Sequence, residues 1–255
     1  MDKAQPPVAK KPFYRNDPLT SIILVLAVFF TSQVIAGVLL SVYPSIKNMT
    51  ATQASDWLTS SVYVQFFYIS ITSFFAVWFT FGLLKRSRVA LSRIGVFKPK
   101  LRDIAYALSG YGVYFVSYII IILIASRFSG LIDVDQPQQI GFDSAAGYQL
   151  IFVFVSLVIL PPIAEEVMFR GFLFTSFRQK YRFRFTALFT SILFGIAHLQ
   201  FGSGAPLLWV AAIDTFVLSM VLCYLREKSG SLWPPILLHA IKNGVAFFAF
   251  FYAKF

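Results

Sequence analysis

The sequence predicts an all-α fold, a polytopic membrane bundle of about seven transmembrane helices, on three observations. Of the 255 residues, 58% are hydrophobic, 13% are charged and 30 are Phe, whereas a soluble domain is nearer half apolar and a quarter charged. Apolar runs of about twenty residues, long enough to cross ~30 Å of hydrocarbon at ~1.5 Å per residue, recur along the chain. The basic residues behind the net charge of +11 fall mostly between those runs.

The runs cover residues 20–43, 62–84, 104–125, 148–177, 185–199, 206–225 and 232–253. The first follows a basic N-terminus but is too long for a cleaved signal peptide, so it reads as a retained span. The fourth is interrupted by Pro161-Pro162 and is expected to be kinked or split into two pieces. The fifth is short, and a count of eight spans stays open. Residues 1–18 read as a disordered cytoplasmic tail, 19–147 as a variable N-terminal part of about three spans, and 148–253 as the membrane core that carries chemistry.

Loop charge sets the orientation. The N-terminal tail holds four basic residues, the 85–102 loop seven, the 178–184 loop four, and Arg226 with Lys228 two. The alternate loops hold three, Lys47, Arg127 and Lys254, and also carry Asp56, Asp133, Asp135 and Asp143. Seventeen against three places the N-terminus in the cytoplasm and, with seven spans, the C-terminus outside the cell membrane. Basic residues so distributed meet lipid head groups, and no nucleic-acid partner is expected. Cys223 is the only cysteine, which excludes an intrachain disulfide and a thiol redox pair.

Glu165, Glu166, Arg170, Asp214 and Lys242 fall inside predicted spans, as do His198 and His239, the two histidines of the chain. An ionisable group facing lipid at mid-bilayer costs ~2.5 to 3.5 kcal/mol or more, so these seven are expected to face one another or a water-filled cavity. Glu166 and Arg170 are four residues apart, as are His239 and Asn243, and share a helix face. Glu165 and Glu166 point about 100° apart. If Glu166 pairs with Arg170, Glu165 is free to face the cavity. Counted from the cytoplasmic ends of their spans, His239 lies ~11 Å deep, Glu165 ~18 Å and His198 ~20 Å, which is roughly one layer.

Two imidazoles and a carboxylate in one layer can activate water in two ways. Glu165 can act as general base with a histidine holding the water, or Glu165, His198 and His239 can bind zinc with a position left open. Asn243 is a poor zinc ligand and a good neutral donor to an oxyanion, which favours the version without a cofactor. Other readings stand beside these: a structural Glu166–Arg170 ion pair, interhelical hydrogen bonds from the histidines, or an ion or proton pathway. Asp214 and Lys242 lie ~17 Å and ~15 Å from the cytoplasmic ends of the sixth and seventh spans. Opposite charges at that depth are expected to pair, holding the helix of His239 and Asn243 in register; the alternative is that Asp214 hydrogen-bonds hydroxyls while Lys242 snorkels towards the interface.

The strings Glu165-Glu166-Val-Met-Phe-Arg170, Phe194-Gly-Ile-Ala-His198 and His239-Ala-Ile-Lys-Asn243 resemble the three motifs of the CAAX protease and bacteriocin-processing family, which includes the type II prenyl-protein endopeptidases. The resemblance covers about residues 148–250. It implies an intramembrane endopeptidase acting near the cytoplasmic face on a membrane-associated or lipidated protein or peptide. In that reading Glu165 activates water, His198 helps to hold it, His239 and Asn243 form the oxyanion hole, and Glu166, Arg170 and Phe194 support the site. The alternative from another class is a non-catalytic relative serving as a membrane scaffold or immunity-type protein.

Overall fold

The computed structural model describes residues 18–128, 141–142, 144–199 and 207–253. The expected disordered tail lies outside the described residues except for Pro18, as do Asp133, Asp135, Asp143 and Lys254. Eight helices are described: α1 (Pro18–Ile46), α2 (Ala51–Ser60), α3 (Val62–Arg86), α4 (Leu101–Ala125), α5 (Gln149–Arg178), α6 (Phe183–Ala197), α7 (Trp209–Ser229) and α8 (Trp233–Ala253). Six of them are long and apolar enough to cross a membrane, and α6, with 15 residues, is a shorter apolar helix. These seven correspond to the expected spans. No strand occurs among the described residues.

Burial in these helices is inverted relative to a soluble bundle. The lipid-facing side of α1 exposes Leu19, Ile23, Leu26, Phe30, Val34 and Val38, while its buried side is Ser21, Val25, Val28, Ser32 and Ala36. The buried side of α3 is likewise small, with Ser73, Ala76 and Thr80 ahead of Leu84. Because lipid tails are as apolar as Leu, helices associate through small residues that let backbones approach, not by hiding the greasiest side. The hydroxyls of Ser32 and Thr80 donate to Val28 and Ala76 one turn back in their own helices, at 2.7 Å each, so no partner is needed from outside. Ser21 meets Ser176 at 2.5 Å and ties α1 to the end of α5.

One end of the bundle, cytoplasmic in the expected orientation, is closed by the segment between α3 and α4. Gly95, at φ 89°, sits where an added Cβ would lie 2.9 Å from both Arg226 Cζ and Gly230 O. Its carbonyl accepts from the Leu232 backbone at 2.9 Å, and the Phe97 carbonyl accepts from the Trp233 indole at 2.6 Å. The turn between α7 and α8, which presents the third motif, is thereby fixed. The buried Asp103 carboxylate accepts from the Lys100 backbone at 2.8 Å and starts α4 three residues before the expected boundary.

Of the two outcomes expected for the fourth run, the division into two pieces does not occur. The Pro161-Pro162 pair does not split it: α5 is one continuous helix of 30 residues. The ladder changes along it, with π-helical geometry over Val155–Ile159 and again over Val167–Leu173. The Leu160 N–H donates to Val155 O and the Phe174 N–H to Phe169 O, each five residues back. Such bulges admit an extra residue without ending a helix, and here they bracket the paired glutamates.

Candidate active site

The first motif lies on α5 between its two π segments. Glu166 is fully buried, and its Oε1 accepts from Arg170 Nη1 at 2.9 Å, so the expected pair is present. Glu165 is turned away from that pair, and its side chain keeps 24% exposure. Its Oε2 has no hydrogen-bond partner among the described residues. The two adjacent carboxylates therefore have different surroundings: Glu166 is fully buried against Arg170, whereas Glu165 is partly exposed although its Oε2 is itself buried.

The third motif adds a contact that spacing did not reveal. His239 Nδ1 lies 3.0 Å from the same Glu166 Oε1 that Arg170 holds, and His239 Nε2 lies 4.0 Å from Glu165 Oε2. A carboxylate oxygen accepts, so Nδ1 carries the proton. The neutral imidazole then presents a lone pair at Nε2 and can hold water, while only the imidazolium could donate from Nε2 to an oxyanion. Glu166 is thus the orienting partner of His239 as well as the counter-ion of Arg170.

Asn243 is one turn further along α8, and its Nδ2 donates to the Leu157 carbonyl at 2.9 Å. That carbonyl is orphaned by the proline pair. Its α-helical donor would be the N–H of residue 161 and its π-helical donor that of residue 162, and proline has neither. Asn243 therefore caps a gap in α5, and the second proton on Nδ2 is the one available to a substrate oxygen.

The second motif ends α6. The Phe194 carbonyl can only accept, so His198 Nδ1, 2.8 Å away, donates to it and leaves Nε2 as an acceptor. No hydrogen bond or ion pair joins His198 to Glu165 among the described residues; the His198 ring packs on that of Phe194. That ring carries the Arg170 guanidinium 4.4 Å above its centroid, with the His198 ring at 4.7 Å and the His239 ring at 6.0 Å. Phe194 is 1% exposed, so the expected supporting residue stands among three motif side chains. Gly195 allows this approach: an added Cβ would lie 2.9 Å from Ala212 O of α7.

Asp214 of α7 and Lys242 of α8 meet at 2.8 Å, as opposite charges at one depth should. The Tyr114 hydroxyl of α4 also donates to Asp214, a contact missed from sequence because its residues are 100 positions apart. The zinc alternative requires Glu165, His198 and His239 to converge on one point. Among the described residues no three His, Cys, Asp or Glu side chains form such a set.

Residues 147–245 match the family model described as type II CAAX prenyl endopeptidase Rce1-like. The chain is 36% identical over 92 residues to an "Uncharacterized 24.3 kDa protein" of Escherichia coli, covering 35% of this chain and 40% of that one. It is 33% identical over 85 residues to the "Putative membrane peptidase YdiL" of Bacillus subtilis (strain 168), covering 33% of this chain and 32% of that one. The chain thus spans well under half the length of these curated relatives. No solved structure matches.

Proposed function

We propose that this chain, Rce1-like over residues 147–245, is an intramembrane endopeptidase that activates water with Glu165. The observation that carries this reading is the unequal placing of the two glutamates. Glu166 is fully buried and committed through Oε1 to Arg170 and His239, while Glu165, 4.0 Å from His239 Nε2, keeps 24% of its side chain exposed and a buried Oε2 without a hydrogen-bond partner among the described residues. That division gives one carboxylate a structural task and leaves the other a catalytic one.

In this mechanism a water held between Glu165 and an imidazole Nε2 gives its proton to Glu165, and its oxygen attacks the scissile carbonyl. Charge develops on the carbonyl oxygen, where the second Nδ2 proton of Asn243 would donate. Collapse breaks the C–N bond, and the proton on Glu165 passes to the leaving amine. No step needs a metal or organic cofactor. The substrate class is a membrane-associated or lipidated protein or peptide, and the lipid bilayer is the medium. In the expected orientation cleavage takes place near the cytoplasmic face of the cell membrane.

The test compares new peptide termini, by mass spectrometry, in membranes holding the wild-type protein or Glu165→Gln. Termini that disappear with Glu165→Gln are expected; identical termini would refute the proteolytic reading and leave a scaffold. Elemental analysis of the purified, active protein should find well under one zinc per chain. Stoichiometric zinc, with activity lost on chelation and restored by zinc, would contradict the metal-free mechanism.

A further inference from the structure

A groove runs between α1 and α3, where Thr31, Trp78 and Gly82 are exposed. It has a volume of about 380 Å³, inside the range of about 300–1,000 Å³ typical of small-ligand sites. Leu24, Val28 and Thr31 line it from α1, and Trp78, Phe79 and Arg86 from α3. At ~1.5 Å per residue, Leu24 to Thr31 covers ~11 Å and Trp78 to Arg86 ~12 Å. One leaflet of a ~30 Å core is ~15 Å deep, so the groove occupies most of one leaflet, the cytoplasmic one in the expected orientation.

Its shape follows from the residues around it. Gly82 also lines it, and an added Cβ there would meet nothing within 4 Å, so the missing side chain leaves the space open. Trp78 makes a stiff wall, stacked on Phe74 with ring centroids 6.4 Å apart and tilted against Phe79 at 5.3 Å. Val28 closes the inner side and belongs to the buried cluster that holds Ala164, Val167 and Met168 of α5.

Its charge lies at one end. Of the nine lining residues only Arg86, in the last turn of α3, is charged. Arg86 is exposed, and among the described residues its guanidinium takes part in no ion pair or hydrogen bond. Neither α1 nor residues 57–102 contain an Asp or Glu, and Lys85 and Arg88 add positive charge on either side. An apolar slot almost one leaflet deep, with a cation at its headgroup end, is complementary to an acyl chain with a phosphate above it.

We propose that this groove binds one anionic phospholipid of the cytoplasmic leaflet, with an acyl chain between α1 and α3 and the phosphodiester on Arg86. The guanidinium matches two phosphate oxygens at once. Lys85 and Arg88 disfavour a headgroup that carries its own cation, so a net negative lipid is preferred to a zwitterionic one. The site does not depend on the protease reading.

The test is native mass spectrometry of the full-length protein, delipidated in detergent and then mixed with phosphatidylglycerol or with phosphatidylcholine of the same chains. The wild type should retain one phosphatidylglycerol per chain, about fivefold or more in preference to phosphatidylcholine, which is what one surface cation supplies. Arg86→Gln should lose the preference, while Lys98→Gln, a charge removed elsewhere in the same loop, should keep it. Gly82→Leu, which fills the slot, should lower retention of both lipids. Arg86→Gln changes only an exposed side chain, so its result stands even where Gly82→Leu fails to fold. Excess glycerol 3-phosphate should not displace the lipid. Equal retention of the two lipids by the wild type would mean bulk lipid only. Equal losses in Arg86→Gln and Lys98→Gln would mean a diffuse basic surface, and displacement by glycerol 3-phosphate a free-phosphate site. Each of these, or undiminished retention by folded Gly82→Leu, would overturn the proposal.

Discussion

The three motifs were legible at the scale of single residues because each is a short run on one helix, and i, i+4 spacing translates directly into a shared face. The Glu166–Arg170 pair follows from that rule, and the Asp214–Lys242 pair followed from depth and charge alone. What stayed hidden were contacts between residues distant in the chain: His239 on Glu166, Tyr114 on Asp214, and Asn243 on the Leu157 carbonyl. The last had a readable signal, since two consecutive prolines must orphan carbonyls one turn earlier, but sequence does not say which helix supplies the donor. Asn243→Ala should therefore lower stability as well as activity, by about 1–3 kcal/mol for an unpaired buried carbonyl. Asn243→Asp, of the same shape but without the donor, should do at least as much harm. Thermal unfolding in detergent checks both, and a purely catalytic asparagine would leave the melting temperature unchanged.

At the scale of elements, seven of the eight described helices were predicted from apolar length. The eighth, α2, is too short and polar for that criterion, yet Thr50 and Gln53 form a capping box at its start, a signal present in the sequence. Which of the two outcomes the proline pair of α5 would take was not legible, because only the surrounding bundle decides that the ladder widens and the helix continues. Gly195 belongs at this scale too. It lies in the second motif, where its lack of a side chain sets the distance between α6 and α7. Gly195→Ala would place a methyl 2.9 Å from a backbone oxygen, which cannot rotate away. We expect a loss of about 1–3 kcal/mol together with reduced activity, since Phe194 and His198 move with α6. An unchanged melting temperature would show that the two helices can separate without cost.

The membrane bundle as a whole follows from composition, whereas its orientation rests on loop charge. The proposed topology puts the 85–102 loop in the cytoplasm and α2 on the opposite side. Cys223 is the only cysteine and is fully buried, so a Cys223→Ser background gives a clean reporter. Ser92→Cys should react with an impermeant maleimide only when the cytoplasmic face is open, and Ser55→Cys only from the other face. The opposite pattern would invert the bundle and move the mouth of the site to the outer surface. The inward face of α1 and α3 is legible only if the reader seeks small residues instead of large ones, because lipid removes the usual meaning of an apolar side chain.

The central claim is that two adjacent glutamates divide the work, Glu165 acting on water and Glu166 supporting Arg170 and His239. The most direct measurement places Glu165→Gln and Glu166→Gln side by side in proteoliposomes, recording the cleavage rate and the melting temperature of each. Glu165→Gln should abolish cleavage with the melting temperature close to wild type. Glu166→Gln, which leaves the buried Arg170 without its counter-ion, should lose both activity and about 3–5 kcal/mol of stability. Cleavage at the wild-type rate by Glu165→Gln, or an unchanged melting temperature for Glu166→Gln, would contradict the account.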